Sequence, residues 1–206
     1  MNFMQLRERQ SKFPVTVKTG EGVVELIWNK IEYADGYRVF ASPVGKNHFV
    51  GVINVKGTTA VMKKRANGVP MQYKVKAFRI ADGPDNFFGE SEIVIACPLE
   101  TPRRLTAIVG SDGICTLSWR YNSQCDGFKI YADSNESGKY SFVCYSGKNS
   151  CRLDSFTKSG KVSFVVRSFI MTGHMEKLGV SSAPAEAVLP KSKGTKAVQF
   201  DHSMIR

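Results

Sequence analysis

The chain is poor in the residues from which metal sites and disulfide frameworks are built. Among its 206 residues are 3 histidines that lie far apart and 5 cysteines without a Cys-x-x-Cys pair. A structural zinc site takes about four such ligands, usually in closely spaced pairs, and a secreted disulfide framework usually has an even number of cysteines. The sequence therefore predicts no metal site, no cofactor and reduced structural cysteines, with Cys115 on the same strand face as Leu117 and Trp119.

Long apolar runs and catalytic signatures are also missing. No stretch reaches the roughly 20 apolar residues of a membrane-spanning helix, and the amino-terminal segment MNFMQLRERQSKF has no apolar core of a secretory signal. Neither GxSxG, nor HExxH, nor a glycine-rich phosphate-binding motif occurs. We therefore expect no membrane span, no catalytic residues and no enzymatic activity.

The chain has a surplus of positive charge, with a formal net charge of +11. Such a surplus favours a nucleic-acid or anionic partner. The excess lysine and arginine is, however, spread over both halves of the chain and both ends. A dedicated nucleic-acid binder more often concentrates these residues on one face, so nucleic-acid binding is the lesser alternative.

The most informative feature of the sequence is an internal repeat. Three pairs of segments match at a constant offset of 91 residues, namely 24–28 with 115–119, 35–40 with 126–131, and 73–78 with 164–169. Further along, residues 89–91 match 179–181, which shifts the offset by one residue. A period of this length is too long for a solenoid repeat, so we expect two copies of a whole domain.

Each copy has the residue pattern of β-strands. Tyr73 and Val75, for example, alternate with Lys74 and Lys76, which gives a strand one buried and one wet face. Turn residues separate several such short segments, and no helical periodicity is sustained. In the first copy we expect seven strands, at residues 15–17, 23–28, 37–41, 49–55, 59–62, 71–79 and 91–97.

The ordered motifs resemble the fibronectin type III family. That family has Leu-x-Trp on its second strand, Gly-Tyr-x-Val-Tyr on its third and Tyr-x-Val-x-Ala on its sixth, and both copies follow this order between residues 13 and 189. Residues 28–39 are most similar to its bacterial and phage branch. In the second copy, Phe164 replaces the tyrosine of the sixth strand, so it lacks the hydroxyl. The core residues implied are Leu26, Trp28, Tyr37, Val39, Tyr73 and Val75, then Leu117, Trp119, Phe128, Ile130, Phe164 and Val166.

The predicted fold is therefore all-β, with two tandem seven-stranded immunoglobulin-like (fibronectin type III) sandwiches joined by a short proline-flanked linker. The predicted organisation is an N-terminal arm (1–12), a first domain (13–98), a linker (99–103), a second domain (104–190) and a basic C-terminal tail (191–206). The resemblance implies spacer, adhesion or docking roles, which fold alone does not establish.

Two segments of the first domain are candidate partner-binding sites. Lys63, Lys64 and Arg65 lie in the connection between the fifth and sixth strands. They could meet an acidic partner or nucleic-acid phosphates there, or form a solvated turn. Phe87 and Phe88 lie in the predicted loop before the last strand, where they could anchor a partner. The alternative for this pair is that Phe88 covers the end of the core.

The two ends of the chain lie outside both predicted sandwiches. Phe3 and Leu6 near the start and Phe200 near the end stand among basic residues, whereas a purely solvating tail would lack such apolar residues. We expect these ends to be arms that dock on neighbouring subunits, for example by adding a strand to a sheet edge. A frayed terminus is the alternative.

These observations favour a non-enzymatic structural or interaction protein that binds other proteins in a larger assembly. The most specific hypothesis is a phage virion component, namely a capsid-decoration or tail-associated subunit. Such a subunit would be found in the virion or in the host cytoplasm before assembly. The first alternative is a cell-surface or extracellular adhesion module that binds polysaccharide, if a signal precedes this chain. The lesser alternative is a basic nucleic-acid-binding protein.

Overall fold

The computed structural model of the protein describes residues 12–83, 86–154 and 159–190. The chain divides after Glu100 into two compact units. Each unit is built from antiparallel strands in two sheets, with its own buried apolar core.

The first unit has a three-stranded sheet and a five-stranded sheet. The smaller sheet has the order β1-β2-β5, and the larger has β4-β3-β6-β7, with β8 also paired to β6. A short 3-10 helix, Ile80–Asp82, follows β6. The strands are β1 (Val15–Gly20), β2 (Val23–Trp28), β3 (Gly36–Pro43), β4 (Val50–Val55), β5 (Thr59–Met62), β6 (Met71–Phe78), β7 (Phe87–Glu90) and β8 (Val94–Ala96).

The second unit repeats this arrangement. Its smaller sheet has the order β13-β10-β9, and its larger sheet has β12-β11-β14-β15, with β16 also paired to β14. The prediction of an all-β chain with two tandem immunoglobulin-like sandwiches is therefore confirmed. The strands are β9 (Arg103–Val109), β10 (Cys115–Arg120), β11 (Gly127–Asp133), β12 (Ser141–Ser146), β13 (Ser150–Leu153), β14 (Gly160–Thr172), β15 (Met175–Leu178) and β16 (Ala185–Leu189).

The last strand of each sandwich is divided into two pieces, whereas the sequence predicted one continuous last strand, at residues 91–97 in the first copy. Between the pieces lies a buried serine, Ser91 in the first unit and Ser182 in the second. The Val75 amide donates to Ser91 Oγ at 2.8 Å, and the Val166 amide donates to Ser182 Oγ at 3.0 Å. The side chain thus takes the place of a backbone acceptor. The predicted match of Ser91 with Ser181 is therefore wrong, because Ser182 is the equivalent of Ser91.

The cores form where the inward faces of the two sheets meet. All twelve residues assigned to the cores from the sequence are buried. In the first core the Trp28 and Tyr37 rings meet edge to face with centroids 5.3 Å apart, and in the second Trp119 and Phe128 do so at 5.1 Å. Edge-to-face aromatic contacts stabilise a core beyond the area that they bury.

A repeated Asp-Gly pair ties the third strand of each sandwich to the sixth. Asp35 precedes β3, and its carboxylate accepts a hydrogen bond from the amide of Ile80 at 2.9 Å, while its own amide donates to the carbonyl of Phe78 at 3.1 Å. Asp126 accepts from the amide of Met171 at 2.6 Å in the same way. A charged acceptor strengthens such bonds, so each aspartate fastens the start of one strand to the end of its neighbour.

The glycine of each pair provides the space for an aromatic ring. A Cβ added to Gly36 would lie 2.6 Å from Cζ of Phe78. A Cβ added to Gly127 would lie 3.0 Å from both Cε1 of Phe169 and the carbonyl oxygen of Ser146. Since a backbone atom cannot move away as a side chain can, the second site is the less tolerant of the two.

We therefore expect Gly127→Ala to lower the free energy of unfolding of the second unit by about 1–3 kcal/mol through overpacking. Gly147→Ala is the matched control, because nothing lies within 4 Å of an added Cβ there. Urea unfolding followed by Trp119 fluorescence in a Trp28→Phe background measures this unit. Equal unfolding midpoints for the two alanine variants would contradict the packing argument.

Candidate functional site

The larger sheet of each unit turns one face outward, and aromatic and charged side chains meet there. In the first unit, Tyr37, Val39 and Val75 point inward and are buried, so the residues that alternate with them face solvent. We call the following set the first aromatic face: Arg38, Phe40, Lys74, Lys76, Phe78, Phe87 and Glu90.

Phe87 is the centre of the first aromatic face. Its ring centroid lies 5.5 Å from that of Phe40 and 6.5 Å from that of Phe78, in both cases edge to face. The guanidinium carbon of Arg38 and the Nζ of Lys76 each lie 5.4 Å from the Phe87 centroid. These distances are within the range of cation–π attraction, which holds cations over ring faces.

Glu90 compensates the lysines of this face. Its carboxylate lies 3.0 Å from Nζ of Lys76 and 3.3 Å from Nζ of Lys74. Partial burial raises the pKa of Glu90, but the hydrogen bonds and charges of the two lysines outweigh this effect, so its pKa is lowered. The face therefore carries ordered, paired charges together with aromatic rings.

The second unit has a longer row of rings on the corresponding surface. We call Lys129, Tyr131, Phe142, Tyr145, Phe169 and Glu176 the second aromatic face. Neighbouring ring centroids along Tyr131, Phe142, Tyr145 and Phe169 are 6.0, 4.9 and 5.6 Å apart. Phe142 and Tyr145 remain 49% and 46% exposed, so a substantial aromatic surface is open to a partner.

Lys129 is fixed between the two exposed rings. Its Nζ lies 5.6 Å from the Phe142 centroid and 5.0 Å from the Tyr145 centroid, and it forms an ion pair with Glu176 at 2.7 Å. Burial lowers the pKa of Lys129, but Glu176 and Tyr145 outweigh burial and raise it. The ammonium therefore stays charged at neutral pH and holds the rings in place.

A β-bulge brings Phe142 and Tyr145 to the same side of the sheet. The two residues are three apart, and in a regular strand they would face opposite ways. The register between β11 and β12 shifts, with Ile130 opposite Cys144 but Tyr131 opposite Phe142. The extra residue, Val143, restores the common orientation.

The predicted binding residues of the first unit lie in different environments. Phe87 and Phe88 belong to strand β7 and not to a loop, so that placement was wrong: a second bulge pairs Phe78 with Phe87 and Ala77 with Gly89. Phe87 belongs to the first aromatic face, whereas Phe88 packs against the core.

Lys63, Lys64 and Arg65 lie in the connection between β5 and β6 and do not belong to the first aromatic face. All three are exposed. The Arg65 amide donates to the carbonyl of Gly22 at 2.9 Å, which anchors the turn. Phe3, Leu6 and Phe200 lie outside the described residues.

Sequence reasoning missed most of both faces. It named Phe87 but not Phe40, Lys76, Phe142 or Tyr145. The available signal was that the outward positions of predicted strands carried aromatic residues beside lysine or arginine. The bulges that bring these residues together cannot be located from a period of two.

The part of the chain that the structure describes lacks two further features. No group of three or more His, Cys, Asp or Glu side chains in that part of the chain is placed to hold a metal ion. No helix there is long and apolar enough to span a membrane.

The strand order of each unit defines the class of fold, a tandem of fibronectin type III-like sandwiches. No protein-family model and no curated protein matches the chain. Solved structures are similar to it at low identity. The chicken CNTN1 FN1-FN3 domains match at 18% identity and a TM-score of 0.40, over 87% of this chain and 67% of that one. A two-domain fibronectin type III segment of chicken tenascin matches at 16% identity and a TM-score of 0.47, over 86% and 97%.

The lowered pKa of Glu90 predicts a pH dependence of stability. A carboxylate whose pKa is lower in the folded state stabilises the fold above its ordinary value of 4.5, and this contribution is lost as pH falls through the folded value. Glu90→Gln should therefore lower the melting temperature of the first unit at pH 7, by an amount that shrinks as the pH falls below 4.5 and through the lowered pKa of the folded state.

Glu92→Gln is the control for this measurement, because Glu92 is exposed on the same segment of chain. Differential scanning calorimetry at several pH values compares both variants with the unmodified chain. A Glu90→Gln effect of the same size at every pH would show that the ion pairs with Lys74 and Lys76 do not contribute.

Proposed function

We propose that the chain is a non-enzymatic docking protein that binds other proteins of a larger assembly through the second aromatic face. The observation that carries the proposal is the pair of half-exposed rings, Phe142 and Tyr145, held around Lys129. Exposed aromatic residues beside a cation are typical of the energetic centres of protein interfaces. Because the neighbouring rings and the ion pair already order these side chains, binding would cost little side-chain entropy.

The tilt of the rings favours a protein partner over a polysaccharide. Successive ring planes in the second aromatic face are inclined at 76°, 59° and 74° to one another. A sugar chain that stacks on several rings needs ring faces that lie nearly parallel in a row. Edges and faces presented alternately fit the irregular side chains of a protein surface better.

Charge compensation counts against nucleic acid at either face. Lys74 and Lys76 are paired with Glu90, and Lys129 with Glu176. The electrostatic part of nucleic-acid binding comes from cations that replace the counterions of phosphates. Lysines that are already paired with carboxylates contribute less to this electrostatic part of the binding free energy.

The more specific role that we propose is that of a virion subunit, capsid-decorating or tail-associated. It is supported by the resemblance of residues 28–39 to phage domains of this type. The alternative is an extracellular adhesion module. The second aromatic face serves either role, so the variants below test docking and the fractionation tests the setting.

The full chain should co-sediment with virus-like particles in a density gradient of the lysate from its source, as followed by mass spectrometry. Phe142→Ala combined with Tyr145→Ala should raise the dissociation constant from the particles at least tenfold, which corresponds to a loss of about 1.4 kcal/mol or more of binding free energy. Ile108→Ala is the matched control, since Ile108 is 65% exposed on the smaller sheet of the same unit.

Each outcome of this experiment has a definite meaning. If the ring variant and the control variant weaken association with the particles equally, docking through the second aromatic face is contradicted. Recovery in a wall or medium fraction, with binding to purified polysaccharide, would replace the virion role with adhesion. Binding to oligonucleotides that weakens steeply with salt would favour the nucleic-acid alternative.

A further inference from the structure

Two thiols meet in the second unit, where the edges of its two sheets lie against each other. The sulfurs of Cys144 and Cys151 are 3.3 Å apart, at hydrogen-bonding distance. Cys144 is on β12 of the larger sheet, and Cys151 is on β13 of the smaller sheet. Both side chains are partly buried and pack against the core. The contact therefore joins the two sheets and not neighbouring strands of one sheet.

The equivalent residues of the first unit show which side chains core packing requires at the positions of the two cysteines. Cys144 stands opposite Ile130 as Ile53 stands opposite Val39, and Cys151 stands opposite Leu117 as Ala60 stands opposite Leu26. Ile53 and Ala60 thus occupy the equivalent places, and both contribute to the first core. Apolar side chains satisfy the same fold, so packing does not require a pair of thiols.

We propose that Cys144 and Cys151 are an oxidation site, at which a low-molecular-weight disulfide converts the two thiols into one intramolecular disulfide that joins the two sheets. A disulfide has its sulfurs about 2.05 Å apart, so they need to approach by roughly 1.3 Å. Each sulfur is already within hydrogen-bonding distance of the other.

The reaction is two steps of thiol–disulfide exchange. One protein thiolate attacks a sulfur of the oxidant, a mixed disulfide forms, and one small thiol leaves. The second protein thiolate then attacks the protein sulfur of the mixed disulfide, and the other small thiol leaves. The two protein thiols lose two electrons and two protons, and the oxidant is reduced to two thiols.

The protonation of the pair favours Cys151 as the first nucleophile. The hydrogen bond with Cys144 lowers the pKa of Cys151 and outweighs the effect of burial. The same hydrogen bond, followed by burial, raises the pKa of Cys144. Burial also raises the pKa of Cys115, which makes this third thiol a poor competitor.

The bridge would fasten the strand that carries the second aromatic face. Cys144 lies between Phe142 and Tyr145 on β12, which is at the edge of the larger sheet. A covalent link from Cys144 to β13 would prevent this edge strand from separating locally from the smaller sheet. This consequence follows from the strand positions and does not depend on what binds the face.

Peptide mapping tests the bridge directly. The reduced full chain is incubated with oxidised glutathione, alkylated and digested with trypsin, which cleaves after Lys139, Lys148 and Arg152. We expect a linked pair of peptides, 140–148 with 149–152, that separates on reduction. Separate alkylated peptides, stable glutathione adducts, or a link to the Cys115 or Cys125 peptide would each overturn the proposal.

Thermal unfolding gives a second readout with a control taken from the first unit. In the chain without substitutions, oxidation should raise the melting temperature of the second unit by several degrees, because the disulfide constrains the unfolded chain. Cys151→Ala, which copies Ala60, should remove the rise. Cys144→Ile, which copies Ile53, should also remove it and replaces the alanine variant if that variant folds poorly. A rise that persists in these variants would show that another thiol is responsible.

Discussion

The pairing of the third strand with the sixth, β3 with β6 and β11 with β14, is the contact on which the rest of each sandwich depends. An aspartate fastens one end of this pairing through two hydrogen bonds, and a glycine beside it makes room for an aromatic ring of the sixth strand, Phe78 or Phe169. Because side chains alternate along a strand, this register decides at once which residues enter the core and which form the outward face.

The same register explains why core and outward face can serve different purposes. The inward residues of β3 and β6 are fully buried apolar groups, whose packing stabilises the sandwich. The outward residues are rings and cations that satisfy one another by ion pairs and cation–π contacts. They are therefore ordered without being buried, which is the condition that a partner-binding surface needs.

The sequence was sufficient for the fold because the fold depends on simple periodicities. Alternation of apolar residues identified Leu26, Val39 and Val75, and the offset of 91 residues identified their equivalents, since both signals are local and repeated. The divided last strand was beyond this reasoning. In the sequence, a serine that replaces a backbone acceptor in a sheet, as Ser91 does, cannot be distinguished from a serine in a turn.

The candidate sites could be predicted only in part, because they depend on bulges and on contacts between sheets. Phe142 and Tyr145 face the same way only because Val143 is an extra residue in β12. Cys144 and Cys151 come together only because β12 and β13 lie in different sheets that pack edge against edge. Neither arrangement leaves a periodic signal, although a comparison of Cys144 and Cys151 with Ile53 and Ala60 would have identified both cysteines as inward-facing.

The most direct test of the account is site-specific photo-cross-linking of the full chain within its native assembly. A photoreactive phenylalanine analogue is placed at position 142 on the second aromatic face, at 108 on the smaller sheet, at 64 in the basic turn or at 200 in the tail. The account predicts that position 142 gives a discrete cross-link to a partner protein and that position 108 does not. Cross-links from positions 64 or 200, with none from 142, would contradict it and move the docking surface to the turn or the tail.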